Sequence, residues 1–177
     1  MALTCLQTLG GLPKDCSHNK GGIRSIYIAN FDEVTDVTVG DDVITTITLS
    51  GNTKFKRYAF RQETGSMTST LTADKTTGSY IVTTNISLVF TKMETRKRME
   101  IAALSLGELV AIVEDENGKY WYVGKDNPLT ASAGSANTGT ARGDSNNYSI
   151  TLQSVEDTYP YEVKAESISA LIENVVS

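Results

Sequence analysis

Apolar residues recur at every second position along most of this chain, which is typical of strands that bury one face. After Gly21-Gly22, residues 23–31 are rich in β-branched and aromatic side chains and predict a strand. Val34–Val39 and Val43–Leu49 flank Gly40-Asp41-Asp42, a pattern that predicts a hairpin. The pattern therefore predicts antiparallel β structure from residue 23 onward.

A long hairpin is predicted over Phe55–Met93, with Tyr80–Thr91 as its second strand. The Thr- and Ser-rich segment Glu63–Ser79 predicts a flexible polar tip, and such tips usually project from the body of a protein. Met67 and Leu71 are the only large apolar residues of this segment. These two side chains are therefore candidates for contact with a neighbouring molecule.

The apolar period changes to that of a helix at Thr95–Leu106, where strong helix formers dominate and Gly107 follows. Thr95 is a candidate cap for its start. One face of this helix is predicted to pack against a sheet, and its residues are Met99, Ala102, Ala103 and Leu106. A second helix is predicted at Ala165–Val176.

Two more β segments lie between the helices. Asn117-Gly118 separates two apolar runs and predicts a hairpin with a type I′ turn. Small and polar residues dominate Asp126–Asn147 and predict a long loop, which at this length is usually functional or an interface element. Tyr148–Val155 alternates again and predicts a strand.

These elements predict a mainly β (α+β) fold, an antiparallel β-sandwich or half-barrel with one packed helix and a C-terminal helix. The expected organisation is an N-terminal arm over 1–22, a β-sandwich domain over 23–163 and the C-terminal helix over 164–177. The chain has 177 residues, of which 40% are hydrophobic, and this length suits a single domain of ordinary size.

The charge balance narrows the classes of function. A formal net charge of -5 argues against a basic nucleic-acid grip and against electrostatic docking on anionic membranes. No apolar run reaches the length of a membrane helix, so no membrane anchor is expected. The first residues lack the pattern of a signal peptide, and Cys5 and Cys16 are expected to be reduced thiols in a cytoplasm.

No catalytic constellation is visible in the sequence. His18 is the single histidine, and neither a Gly-x-Ser-x-Gly elbow nor a phosphate-binding Gly-rich loop is present. The acidic residues around the first hairpin do not follow the spacing of a calcium loop and are interpreted as solvated hairpin ends. We therefore expect no cofactor, no metal and no enzymatic activity.

Two side-chain groups have more than one interpretation. Arg96-Lys97-Arg98 on the first helix could touch phosphates, but a solvated helix end or an inter-subunit salt bridge is favoured in an acidic protein. Tyr120-Trp121-Tyr122 could form a carbohydrate platform. Alternation places Trp121 on the opposite sheet face from the two tyrosines, so at least one of these faces is expected to be core.

The order of elements from Phe55 onward resembles that of tail-tube-like virion proteins of tailed bacteriophages, particularly small structural proteins of crAss-like phages and related prophages. The resemblance covers about residues 20–163 and rests on element order with a few short matches. These are Phe55–Phe60, Ile86–Phe90, Thr95–Leu106, Asp115-Glu116-Asn117-Gly118, Asn127-Pro128-Leu129, Gly139–Asp144 and Asn147-Tyr148-Ser149-Ile150-Thr151-Leu152.

The resemblance implies a non-enzymatic virion protein that forms a homo-oligomeric ring of 6 or 12 copies around the DNA path. It also implies pairing of sheets between subunits, and contacts with neighbouring tail, neck or portal proteins. Double-stranded DNA would pass without specific binding, in a virion assembled in the host bacterial cytoplasm. The N-terminal arm and the C-terminal helix favour a neck or tail ring over an ordinary tube subunit.

Candidate site residues follow from this interpretation. The candidates for contact between subunits or rings are Met67, Leu71, Asp74, Asn127, Arg142 and Asp144. The candidates for an acidic lumen are Asp32, Asp36, Asp41, Asp42, Asp115 and Glu116. A monomeric carbohydrate-binding or adhesin-like β-sandwich remains the alternative, and an enzyme is the weakest of the three interpretations.

Overall fold

Two β-sheets and two helices make up the computed structural model, which describes residues 9–173 and the side chains of residues 9–172. The strands are β1 (Ile23–Asn30), β2 (Val34–Gly40), β3 (Val43–Leu49), β4 (Phe55–Tyr58), β5 (Ser66–Asp74), β6 (Ser79–Thr91), β7 (Leu109–Asp115), β8 (Tyr120–Val123), β9 (Thr130–Asn137), β10 (Asn147–Glu156), β11 (Tyr161–Val163) and β12 (Ile172–Glu173). The helices are α1 (Thr95–Leu106) and α2 (Ala165–Leu171).

The larger sheet contains seven strands in the order β4-β1-β7-β8-β11-β3-β2, and the two-residue β12 extends it beside β4. The smaller sheet is antiparallel, with the order β5-β6-β10-β9. The mainly β prediction with two helices is confirmed. The prediction of wholly antiparallel sheets is wrong for the larger one, because β11 runs parallel to β3 and β12 parallel to β4.

One apolar cluster lies between the two sheets. It joins side chains of the larger sheet, such as Ile26 and Val113, to side chains of the smaller sheet, such as Ile86 and Leu152. Leu104 of α1 belongs to the same cluster. The sheets therefore pack face to face, and α1 contributes to the core between them.

A second apolar cluster lies on the other face of the larger sheet. Phe55 on β4 and Ile44 on β3 both belong to it, although these strands lie near opposite ends of the sheet order. The sheet curves around this cluster, because Ser167 of α2 donates to the Thr45 carbonyl on β3 and Ile172, only five residues later, pairs with Phe55 on β4. Ile168 and Leu171 of α2 are buried in the same cluster, so the C-terminal helix covers the inside of the curve.

The long hairpin differs from its prediction over Phe55–Met93. β4 pairs with β1 in the larger sheet, and β5 is the partner of β6. The segment Glu63–Ser79, which we predicted as a flexible tip, therefore contains the nine-residue strand β5. Most of its side chains are exposed, so the alternation that marks a buried strand face is weak there.

The predicted loop Asp126–Asn147 also contains a strand. β9 pairs with β10 and consists of alanine, serine, threonine, glycine and asparagine. Its small side chains carry no apolar period, which is why the sequence predicts a loop. The second helix ends at Leu171 rather than Val176, and residues 174–177 lie outside the described part of the chain.

The bounds predicted for α1 are confirmed, but the predicted packing face is wrong. Met99 is 61% exposed and Leu106 is 90% exposed, whereas Leu104 is only 3% exposed. Lys97 and Ile101 are half-buried on the same side as Leu104. The helix carries apolar residues on both sides, and the side with Ile101 and Leu104 faces the core.

The turn between β7 and β8 also differs from its prediction. The N–H of Gly118 donates to the carbonyl of Asp115 over 3.1 Å, and Gly118 has a φ of 82°. Asn117 is not among the residues with positive φ, so the turn is not type I′. Asn117 instead accepts the N–H of Lys20 and donates to Asn19, which attaches residues 19–20 to this turn.

We predict that Leu104→Ala lowers the free energy of unfolding by about 2–5 kcal/mol, because it leaves a cavity in the core between the sheets. Leu106→Ala removes the same atoms from the same helix at an exposed position and should change stability by less than about 0.5 kcal/mol. Urea denaturation of both variants measures the difference. Equal destabilisation by the two substitutions would contradict the helix orientation.

Candidate functional site: assembly surfaces

The smaller sheet has two outer strands, β5 and β9, on opposite sides. β5 has no charged residue before Asp74, and β9 has none along its eight residues. Residues 132–137 of β9 are all exposed. Natural sheet edges are commonly protected by charges, proline or bulges, because an open edge can pair with another strand. On these two strands such protection is limited to the irregularity of β9 opposite Thr151/Leu152, the contact of α1 with β9 and the terminal Asp74 of β5.

The far end of the β5–β6 hairpin exposes apolar side chains. Leu71 is 43% exposed and Tyr80 is 52% exposed. Leu71 opposes Val82, which is buried, and Tyr80 opposes Ala73, so Leu71 and Tyr80 share one face of the hairpin. This face continues the core-facing side of β6 toward solvent.

Met67 and Asp74 have intramolecular roles. Met67 is partly buried and packs against the core between the sheets, so it is less available to another molecule than Leu71. Asp74 Oδ1 accepts the N–H groups of Thr76 and Thr77 in the hairpin turn. These bonds hold the pKa of the Asp74 carboxyl below its usual value.

Asn127 is part of a loop that is fastened to the end of β10. Its Nδ2 donates to the Val155 carbonyl over 2.8 Å, and Ser154 Oγ donates to the Asn127 carbonyl over 3.0 Å. The buried carboxylate of Glu156 accepts the N–H of Asp126 over 3.0 Å. Glu156 is not predicted from the sequence, where its only signal is an acidic residue at the end of an alternating strand.

Arg142 and Asp144 lie in the loop between β9 and β10. Asp144 Oδ2 accepts the N–H groups of Ala141 at 2.7 Å and Thr140 at 2.8 Å. These bonds hold the pKa of the Asp144 carboxyl below its usual value. Arg142 is exposed and has no ion pair with any other residue that the structure describes. Of the six contact candidates, Leu71 and Arg142 are therefore exposed without an intramolecular bond to hold them.

The six acidic candidates fall into two groups. Four of them are exposed on or beside the β2–β3 hairpin, namely Asp32, Asp36, Asp41 and Asp42. Asp41 and Asp42 form its turn, with φ values of 52° and 59°, a left-handed conformation that Asp tolerates better than most residues. The chain has no Lys or Arg between Arg24 and Lys54, so this hairpin carries uncompensated negative charge.

Asp115 and Glu116 are engaged within the turn after β7. Asp115 accepts the N–H groups of Asn117 and Lys119, and its Oδ2 accepts the indole N–H of Trp121 over 3.0 Å. Glu116 lies 3.6 Å from Arg24. Both carboxylates therefore stabilise local structure, and in the β2–β3 hairpin Asp36 likewise accepts the Thr38 hydroxyl over 3.1 Å.

A partly buried polar cluster lies where β1 and β7 pair, with Tyr27 and Glu114 buried and Arg24 exposed. The Tyr27 hydroxyl donates to Glu114 Oε2 over 3.2 Å, and Arg24 lies 3.6 Å from Glu114 Oε1. Burial, followed by the nearby Glu114 charge, raises the pKa of Tyr27. The polar groups of this cluster bond to one another, so we interpret the cluster as structural.

The aromatic residues of β8 do not form one exposed surface. Tyr122 is 1% exposed within the second apolar cluster, and burial raises its pKa. Trp121 packs from the opposite face against the core between the sheets. The predicted alternation is therefore confirmed, and at least one face is core.

A polar groove of about 430 Å³ lies beside the point where the arm joins β1. Its lining residues are Lys20, Gly21, Gly22, Ile23, Gln62, Glu63, Gly65 and Glu116. Within residues 9–173, no three His, Cys, Asp or Glu side chains are grouped closely enough to hold a metal ion. Cys16 is an exposed free thiol, and Cys5 lies outside the described residues.

Neither helix in the described part of the chain is long and apolar enough to cross a membrane. Comparison of the chain with protein-family models, with curated proteins and with solved structures finds no match.

We predict that the loop between β9 and β10 loosens in acid. Because the Asp144 pKa is lowered in the folded protein, its bonds stabilise the loop fully above the usual carboxyl pKa. That stabilisation is lost as the pH falls through the lowered pKa. NMR titration of the carboxyl carbon and hydrogen exchange of the Thr140 and Ala141 amides measure both effects.

The control for this titration is Asp144→Asn, in which amide exchange at Thr140 and Ala141 should be faster and should show no acid step from this position. A titration of Asp144 at or above the usual carboxyl pKa would contradict the hydrogen bonding of the loop.

Proposed function

We propose that this chain is a non-enzymatic structural protein of a tailed-bacteriophage virion, which forms a homo-oligomeric ring in the tail or neck. The observation that carries the proposal is the pair of open, nearly uncharged edges of the smaller sheet, β5 and β9. A protein that remained a monomer would be expected to protect such edges. The proposed fold type is the tail-tube sandwich or half-barrel.

The two edges suit a ring because they differ from each other. If β5 of one copy pairs with β9 of the next, each copy uses one edge of each kind and the sheet continues from copy to copy. Such head-to-tail contacts close into a ring when the rotation between copies allows it, and otherwise form a filament. Six or twelve copies are the proposed numbers.

The hairpin end supports contacts outside the ring. Leu71 and Tyr80 offer an apolar surface at the end of β5 and β6, as a docking element for a neighbouring ring would. Its proposed partners are neighbouring tail, neck or portal proteins of the virion, assembled in the host bacterial cytoplasm. Exposed Leu9 and Leu12 in the arm favour a neck or tail ring with additional contacts over a simple tube subunit.

The acidity of the chain is compatible with a passage for double-stranded DNA. A net charge of -5 per copy is multiplied in a ring, and a negative bore would repel DNA phosphates. The exposed carboxylates of the β2–β3 hairpin are the strongest candidates for such a lining, because Asp115 and Glu116 are engaged in their own turn.

We predict that a single lysine at either sheet edge disrupts the ring. Thr70→Lys on β5 and Ala133→Lys on β9 each place a charge at an exposed edge position, which opposes strand pairing. Both variants should stay folded, with stability changed by less than about 0.5 kcal/mol, and should sediment as monomers. Sedimentation velocity and negative-stain electron microscopy provide the measurement.

Asn52→Lys adds the same charge in an exposed loop away from the smaller sheet and should assemble as the unmodified chain does. Rings that form equally well in all three variants would rule out pairing through these edges. An unmodified chain that stays a 19.1 kDa monomer at high concentration would overturn the ring itself.

We predict no measurable affinity for double-stranded DNA at physiological salt and protein concentrations up to about 10 µM, because acidic surfaces repel phosphates. Titration of labelled duplex at low and physiological salt measures the affinity. Sub-micromolar binding that weakens steeply with salt would identify Arg96–Arg98 as a phosphate contact and would end the passive-passage proposal.

A further inference from the structure

The outward side of α1 is an apolar stripe with no partner in the described chain. Its residues are Met99, Ala102, Ala103 and Leu106, and all four are exposed. With roughly 3.6 residues per turn, this stripe lies opposite the side that carries Ile101 and Leu104. An apolar helix face that points away from the core is typical of an interaction surface.

Two arginines flank this stripe. At helical spacing, Arg96 lies along one side of it and Arg98 along the other, and both are exposed. Neither forms an ion pair with any residue in the described range 9–173. Lys97, by contrast, donates to the carbonyls of Thr91 and Lys92 at the end of β6, so its charge is engaged within the chain. The surface is therefore apolar along its middle and basic along its margins.

A surface of complementary composition occurs on the β2–β3 hairpin. Val39 is exposed there beside Gly40 and the Asp41-Asp42 turn, and Asp36 is exposed on the same strand. β2 is the outermost strand of the larger sheet, so no further strand covers this hairpin on that side. Val39 therefore lies next to the two turn carboxylates, whereas Asp36 is on the opposite face of β2 beside Thr38. An apolar residue beside carboxylates at the end of a hairpin is complementary to an apolar stripe bordered by arginines.

We propose that the α1 stripe of one copy binds the acidic β2–β3 hairpin of a second copy. Val39 lies against Met99 and Leu106, and the hairpin carboxylates pair with Arg96 and Arg98. This inference rests on the proposed homo-oligomer and adds a second contact to it, distinct from strand pairing. Because the two surfaces differ, the contact is head-to-tail and is compatible with a ring. On this inference Asp41 and Asp42 lie at an interface between copies instead of in the bore, for which Asp32 remains an exposed candidate.

Reversal of the helix charges and removal of the hairpin charges test the contact from both sides. Arg96→Glu with Arg98→Glu should weaken self-association by at least about tenfold, because like charges then meet. Asp36→Lys with Asp41→Asn and Asp42→Gly should weaken it equally. The Asn-Gly pair suits the left-handed turn, so the hairpin should keep its geometry.

The decisive measurement is a mixture of the two variants. In the mixture, the acidic helix of the helix variant can pair with the basic hairpin of the hairpin variant. The unchanged helix of the hairpin variant can also pair with the unchanged hairpin of the helix variant, as in the unmodified chain. Equimolar mixing should restore assembly that neither variant shows alone, and the variant carrying all five substitutions should also assemble. Sedimentation velocity of each sample, with far-ultraviolet circular dichroism to verify folding, gives the result.

Lys14→Glu with Lys54→Glu is the matched control, because it changes the net charge as the helix variant does at exposed positions away from both surfaces. It should assemble normally. Undiminished assembly of the helix variant, or failure of the mixture to recover, overturns this contact. In either of those cases, the ring proposal still stands if the edge variants Thr70→Lys and Ala133→Lys sediment as monomers. Absence of any self-association by the unmodified chain overturns both proposals.

Discussion

The fold depends on the burial of β7 from both sides. Its side chains alternate between the two apolar clusters, with Ala111 and Val113 facing the smaller sheet and Val110 and Ile112 facing the inside of the curved sheet. The strand therefore couples the sandwich core to the core beneath α2. Its neighbours β1 and β8 show the same division, so the middle of the larger sheet is buried on both faces.

The parts predictable from sequence are those in which local pattern and burial agree. β1 and β10 alternate or run apolar because their faces are buried, and the bounds of α1 follow from its helix formers. The order in which the strands pair cannot be predicted in this way. β11 inserts between β8 and β3, and this arrangement depends on contacts between residues far apart in the chain. No local period encodes such an arrangement.

The surfaces proposed for assembly are the parts where the sequence is least informative. β5 and β9 lack an apolar period because they lie at sheet edges, and exposed threonine, serine and alanine resemble a loop. In α1, Ile101 and Leu104 lie on one side, and Met99 and Leu106 lie on the other. The sequence therefore predicts two apolar helix faces, but it does not indicate which of them packs against the core. At these positions the apolar pattern of the sequence and the burial of the side chains within one chain do not agree.

The uncharged edge of β9 would also be open in any copy that has not yet joined the proposed ring. Backbone donors and acceptors at an open edge do not distinguish a correct neighbour from any other extended segment, since they recognise only the peptide backbone. The rate of incorrect strand pairing would therefore rise with the concentration of copies that have not joined the proposed ring. For the proposed ring, the lack of charge along β9 implies that newly made copies should be incorporated at about the rate at which they are synthesised.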